Sequence, residues 1–297
     1  MDWFLLGITS AIFAAIQFAI KSRLVRDKRL DSLVGFLMFF LSGLFLYIFY
    51  FPLKGVGLSL GSLSSNFWLM IAIHCFLEVV ALLALFKAFR IAELSYIVPI
   101  ISLTSVGSII PAWWFFDEKL SWVGILGIIL AISGAILIDY EKGRVSSSDK
   151  KNKHQAKLML AIVFIAWTFT PSLRKEAINL SSAATTAVIL HFLIALTFVI
   201  PFIIRKEYLI ISKKGRASWP KYFYIGLISI SLAAAIANIN SYLALESGPV
   251  AYAMALKETS AIFVFLISFL FFKERKNLKQ KTIAILLAVI GAILIAV

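Results

Sequence analysis

Ten apolar runs recur along the chain, each close to the length that crosses a lipid bilayer. They fall at about residues 3–20, 33–51, 67–86, 94–116, 120–138, 158–173, 183–204, 222–244, 249–272 and 282–297. A hydrocarbon core of ~30 Å needs about 20 consecutive apolar residues in a helix. The chain is 61% hydrophobic, carries 26 Phe and has a mean hydropathy of +0.96. The runs therefore predict an all-α integral membrane protein with ten transmembrane helices. A β-barrel would show short alternating segments, whereas these runs are continuous and contain Gly and Pro. No positive residue precedes the first run, so a cleaved signal peptide is not expected and that run should stay as a helix.

A formal charge of +14 raises the question of a nucleic-acid partner, and the positions of the basic residues answer it. Of 29 Lys and Arg residues, 24 follow odd-numbered runs, among them Lys21, and only Lys54, Lys119, Arg174 and Lys175 follow even-numbered ones. Positively charged loops stay in the cytoplasm, so the basic charge is an orientation signal: both termini are predicted outside, and no nucleic acid is expected. The remaining cation, Lys257, lies inside the ninth run. Cys75 stands alone, which rules out an internal disulfide.

The halves repeat. The stretch "ELSYIVPIISLTSVGSIIPAWWFFDEKLSW" followed by "ISGAILI" aligns with "PVAYAMALKETSAIFVFLISFLFFKERKNL" followed by "VIGAILI". Tyr96 then matches Tyr252, Glu118 matches Glu274 and Gly134 matches Gly291, while a weaker match places Lys21 over Arg174. Five runs per copy is an odd number, so the copies are predicted to cross the membrane in opposite senses, as inverted repeats. The boundaries are residues 1–145 for the first five-helix copy, 146–157 for a flexible cytoplasmic joint and 158–297 for the second copy.

Two five-helix copies, each with a fourth helix closing on an Asp/Lys-Glu-Lys/Arg turn and a fifth ending "GAILI", resemble the EamA branch of the drug/metabolite transporter superfamily. The resemblance covers nearly the whole chain. Pro99 fits the proline that the family often has early in the fourth helix. The second copy departs from this, with Ala255 in that place and Lys257 two residues on. The resemblance implies transport of a small metabolite by alternating access, with the substrate held between the copies near the bilayer midplane. It does not name the substrate.

Polar residues within the runs are the candidates for contact with a solute. A Lys at mid-helix costs about 2.5–3.5 kcal/mol to insert, and each Leu, Ile, Phe or Val returns roughly 0.3–0.6. The ninth run can therefore carry Lys257, and intramembrane charge is by default functional. Neighbouring helix positions point about 100° apart, so Lys257 and Glu258 are poorly placed to neutralise each other. The third run holds Glu78 with His74 one turn earlier on the same face, and the eighth holds Asn238 and Asn240. Lys257, Glu258, Glu78, His74, Asn238 and Asn240 are the predicted substrate-binding residues, on a cavity lined by the third, fourth, eighth and ninth runs.

Each has a structural alternative: a buried ion pair for Lys257 with Glu78 or Glu258, an interhelical fastener for Asn238 and Asn240. Glu118 and Glu274 sit in turns, where capping or contact with a basic loop is expected. Gly127, Ala131 and Ala135, matched by Ala284, Ala288 and Ala292, predict close helix packing or a dimer face.

No phosphate-binding loop, metal-ligand cluster or nucleophile-plus-base set appears, so neither a cofactor nor an enzymatic activity is expected. The reading is a secondary transporter of the plasma membrane for an amino acid or another carboxylate- or phosphate-bearing solute. A proton or a counter-substrate is open as the coupling species, and monomer and homodimer are both open. A lipid-linked sugar flippase, an intramembrane lipid-modifying enzyme and a membrane scaffold are the alternatives.

Overall fold

The computed structural model describes residues 3–26, 30–54, 63–91, 97, 101, 103–139, 150–209, 221–260, 262–263 and 278–296. Among these, every regular element is helical. Helix α1 is Trp3–Arg26. Helix α2, Asp31–Phe45, runs on through a π-helical turn, Leu46–Tyr50, and Phe51–Lys54. Then follow α3 (Ser65–Ile91), the short α4 (Thr104–Gly107) and α5 (Ile109–Phe116), α6 (Trp122–Asp139), α7 (Lys150–Asn179), α8 (Ala183–Ile204), α9 (Lys221–Ser247), α10 (Val250–Glu258) and α11 (Leu278–Ala296).

Six stretches among the described residues are long and apolar enough to cross a membrane, one each in α1, α2, α3, α7, α8 and α9. Large apolar side chains such as Leu5, Phe76, Ile110 and Leu196 point outward, as they do where the solvent is lipid. The chain is a multi-pass membrane protein. The other four predicted runs fall on α4 with α5, on α6, on α10 and on α11. Parts of the fourth and ninth runs lie outside the described residues, as do Tyr96, Pro99 and Glu274; the same holds for the side chain of Glu258.

The joint departs from its prediction. From Lys150 onward it is the first part of α7, because "KKNKHQAK" contains neither Gly nor Pro and several good helix formers. The fourth run also breaks where apolar letters gave no warning. Thr104 Oγ1 donates to the Ile101 carbonyl at 2.7 Å and Ser108 Oγ to the Ser105 carbonyl at 2.8 Å, and a turn at Ser108 separates α4 from α5. Hydroxyls that bond back to the preceding turn compete with the helical ladder. Thr259 does the same at the end of α10, donating to the Leu256 carbonyl at 2.6 Å.

The main pairings are α1 with α9, α2 with α8, α3 with α7 and α6 with α11. Each joins a helix that precedes residue 146 to one that follows it. In the last pair the backbones nearly touch: a Cβ on Gly291 would stand 2.4 Å from the Ala131 nitrogen and 2.6 Å from the Gly127 carbonyl. Of the small residues predicted to pack closely, Gly127, Ala131 and Ala284 are buried within the chain, while the side chains of Ala135, Ala288 and Ala292 lie outside the described residues.

Polar clusters tie the helix ends. At one end Asp31 pairs with Arg90 and, at 3.5 Å, with Arg205, while the Glu207 carboxylate accepts from the Ser32 and Leu33 N–H groups, each at 3.1 Å. At the other, Glu118 accepts from the Val250 N–H with both oxygens, at 2.9 and 3.0 Å. Lys175 lies 3.6 Å from Glu118 and donates to the Gly248 carbonyl at 2.7 Å. Asp117, in the left-handed conformation at φ 51°, ends α5 and turns Glu118 toward this contact. The expected capping role and the expected basic contact of Glu118 are both present.

Candidate functional site

Between the paired helices lies a cavity of about 110 Å³, far more than the ~10–15 Å³ that a single water needs. On α1 the side chains facing it are Ala14, Gln17, Phe18 and Lys21; on α7 they are Trp167, Thr170, Pro171 and Arg174. Both sets follow the i, i+3, i+4, i+7 spacing of one helix face. Their last members are the two cations that the repeat alignment superposes. Glu78 and Leu82 on α3 face Asn238 and Tyr242 on α9, again four residues apart. Phe39 of α2 and Ile194 of α8 complete the wall, with Ile101, Thr104 and Ser105 around α4, and Met254, Lys257 and Ser260 around α10.

Three of the predicted residues therefore come together: Lys257, Glu78 and Asn238. His74 and Asn240 are not among the described side chains that line the cavity. His74 is buried behind it, its Nδ1 3.2 Å from the Thr170 carbonyl. Asn240 donates to the Ile236 carbonyl of its own helix at 2.8 Å. Glu258 belongs to α10, on the turn that carries Lys257.

Lys21 and Arg174 follow the last apolar letters of their runs and read as loop charges, yet both are helical and buried, at 4% and 8% exposure. Their helices continue past the apolar runs, to Arg26 and Asn179. The alignment of Lys21 over Arg174 was the one signal that could have exposed them. The walls of the cavity drawn from the third, fourth, eighth and ninth runs thus gain the first and sixth, and through Phe39 and Ile194 the second and seventh.

The lining is held in place from behind. Trp167 Nε1 donates to Glu78 Oε2 at 3.2 Å, joining α7 to α3. The Arg174 guanidinium lies over the Tyr242 ring, 4.7 Å from its centroid, a cation–π contact that orients the group without neutralising it. Its Nε and Nη1 have no hydrogen-bond partner among the described residues. Asn238 Nδ2 is 3.1 Å from His191 Nε2, and His191 Nδ1 is 2.6 Å from the Ala187 carbonyl. With the ring proton on Nδ1, the imidazole donates to that carbonyl and accepts from the amide, which fixes the orientation of Asn238. Sequence alone gave His191 no partner.

Pro171 has no N–H, so the Trp167 carbonyl loses its donor within α7. Lys21 feels the attraction of Glu78 and the repulsion of Lys257, so these three side chains share one field. Among the described residues no group of three His, Cys, Asp or Glu side chains converges to hold a metal ion.

No curated protein matches the sequence. One crystal structure shares the fold across 99% of this chain and 98% of its own, with a TM-score of 0.78 at 15% identity. The sequence profile of the EamA-like transporter family matches residues 1–139 and 155–297. Every described residue that lines the cavity falls within those two matches, and the chain belongs to the EamA-like transporter family, in the drug/metabolite transporter superfamily.

Proposed function

We propose that this membrane transporter is a secondary carrier of the plasma membrane that moves a small polar metabolite bearing a carboxylate or phosphate. The observation that carries the reading is the pair of matched stripes, residues 14, 17, 18 and 21 on α1 and 167, 170, 171 and 174 on α7, each ending in a cation at a common cavity. Cations lining a cavity between membrane helices offer an anion what the bilayer denies it.

Alternating access is the mechanism that fits. The lining positions match across the halves at four further places: Glu78 with Asn238, Leu82 with Tyr242, Ile101 with Lys257 and Thr104 with Ser260. The helix pairings also map onto themselves when the halves are exchanged, α1–α9 onto α7–α3. Two oppositely oriented five-helix copies, residues 1–145 and 158–297, account for both regularities, with α4 to α6, α10 and α11 completing ten spans. Rocking one copy against the other would open the cavity to each side in turn.

In this reading Lys257 contacts the substrate. Lys257→Ala is expected to cut flux into proteoliposomes by at least about tenfold, a loss of roughly 1.4 kcal/mol of stabilisation, while the purified protein keeps its melting temperature. Unchanged flux would remove Lys257 from the mechanism. A variant that no longer folds would assign it a structural ion pair instead.

A further inference from the structure

Resting on the carrier reading above, we infer that Arg174 is the anion anchor of the cavity. Its guanidinium holds the carboxylate or phosphate group of a compact solute, and so decides between an acid and its uncharged analogue. A guanidinium stays charged throughout the accessible pH range and carries five N–H donors in one plane. Arg174 is more than nine-tenths buried and lines the cavity, and its Nε and Nη1 have no hydrogen-bond partner among the described residues. A buried donor without an acceptor costs stability, and a buried charge without a counter-charge costs more.

Other cations of the chain show the contrast. Arg90 and Arg205 both reach Asp31, and Lys175, the residue after Arg174, reaches Glu118 and the Gly248 carbonyl. Lys21, the counterpart of Arg174 in the first half, is attracted by Glu78. Arg174 instead lies over the Tyr242 ring, 4.7 Å from its centroid. The face of a ring steers a cation but brings neither a hydrogen-bond acceptor of ordinary strength nor a negative charge. An oxyanion drawn into the cavity supplies both, through the charge-assisted bonds that arginine makes best.

The volume sets the size class. About 110 Å³ is well below the ~300 Å³ at which pockets for drug-sized ligands begin, so the guest has only a handful of heavy atoms. Thr170, one turn before Arg174 on α7, and Asn238, one turn before Tyr242 on α9, line the same space. They suit the hydroxyl or carbonyl groups of such a solute. The chemistry that Arg174 recognises is an oxyanion, shared by carboxylates and phosphate esters.

The test is equilibrium binding to the purified protein in lipid nanodiscs, with acids paired to their uncharged analogues. The probes are acetate and acetamide, lactate and lactamide, and glycerol 3-phosphate and glycerol, so that the pairs tell a carboxylate from a phosphate ester. At least one acid is expected to bind about tenfold or more tightly than its partner, equivalent to about 1.4 kcal/mol. R174M should reduce that preference to below about threefold, and R174K, which keeps the charge but loses the planar donors, should hold it above that level. Without any probe, R174M should melt at or above the parent temperature, because methionine packs against the Tyr242 ring and brings no uncompensated charge. A preference that survives in R174M would overturn the proposal, as would the absence of any acid preference in the parent. An R174M variant that melts well below the parent would also overturn it, since the guanidinium would then belong to the frame. R174Q is read in the same way if R174M cannot be recovered. Failure of the carrier reading looks different: acid binding that depends on Arg174, with no flux of that acid into vesicles, leaves the anchor standing and removes transport. A preference lost in K257Q but kept in R174M moves the anchor to Lys257 and leaves transport standing.

Discussion

Glu118 spans two helices with one carboxylate: it ends the turn after α5 and receives the first free N–H of α10. A cap of this kind contributes about 0.5–2 kcal/mol, more when the acceptor is charged. Glu118→Ala is expected to destabilise the folded protein by about 1–2 kcal/mol in unfolding titrations. Glu118→Gln, which keeps one acceptor oxygen, should cost less; equal stability of the alanine variant and the parent would show that the contact is dispensable. At this scale the sequence was most legible where a polar letter interrupts an apolar run, as at Lys257, Glu78 and Asn238, which line the cavity. It was least legible at the edges of runs. Lys21 and Arg174 follow the last apolar letter and read as loop residues, although their backbones remain helical for about another turn. His74 shares the face of Glu78 in a helical projection, yet the cavity meets that face only toward its C-terminal part.

Among whole elements, α6 and α11 meet backbone to backbone at Gly291, against Gly127 and Ala131. There is no room for a side chain there. Gly291→Leu should force the helices apart at a cost on the order of 1–3 kcal/mol, read as a lower melting temperature in detergent and a reduced yield of intact protein. A variant as stable as the parent would mean that the pair can slide without penalty. The small-residue spacing on these runs pointed to tight packing, but spacing does not say whether the partner is another helix of the same chain or a second copy. The break between α4 and α5 was hidden for a different reason: Thr104 and Ser108 sit in an apolar stretch, and their effect comes from hydrogen bonds to neighbouring carbonyls rather than from hydropathy.

For the molecule as a whole, the alternation of basic loops sets the proposed orientation, with both ends of the chain on the non-cytoplasmic side. A reporter active only outside the cytoplasm, fused after Val297, should be active, and the same reporter placed within residues 140–149 should be silent. The reverse pattern would invert the topology. The six long apolar spans were readable because length and hydropathy are written locally, whereas the partner of each helix was not, since α1–α9, α2–α8, α3–α7 and α6–α11 all bridge long stretches of chain. Those bridges bear on biogenesis. A ribosome delivers the amino-terminal helices first, and each of the four that enters a main pair must wait in lipid, its inward face uncovered, until a segment synthesised much later arrives beside it. Lys21 is threaded early and Arg174 late, so the cavity comes into being only near the end of translation, and a nascent chain cut short would leave a cation stranded among acyl tails, a plain mark for quality-control proteases.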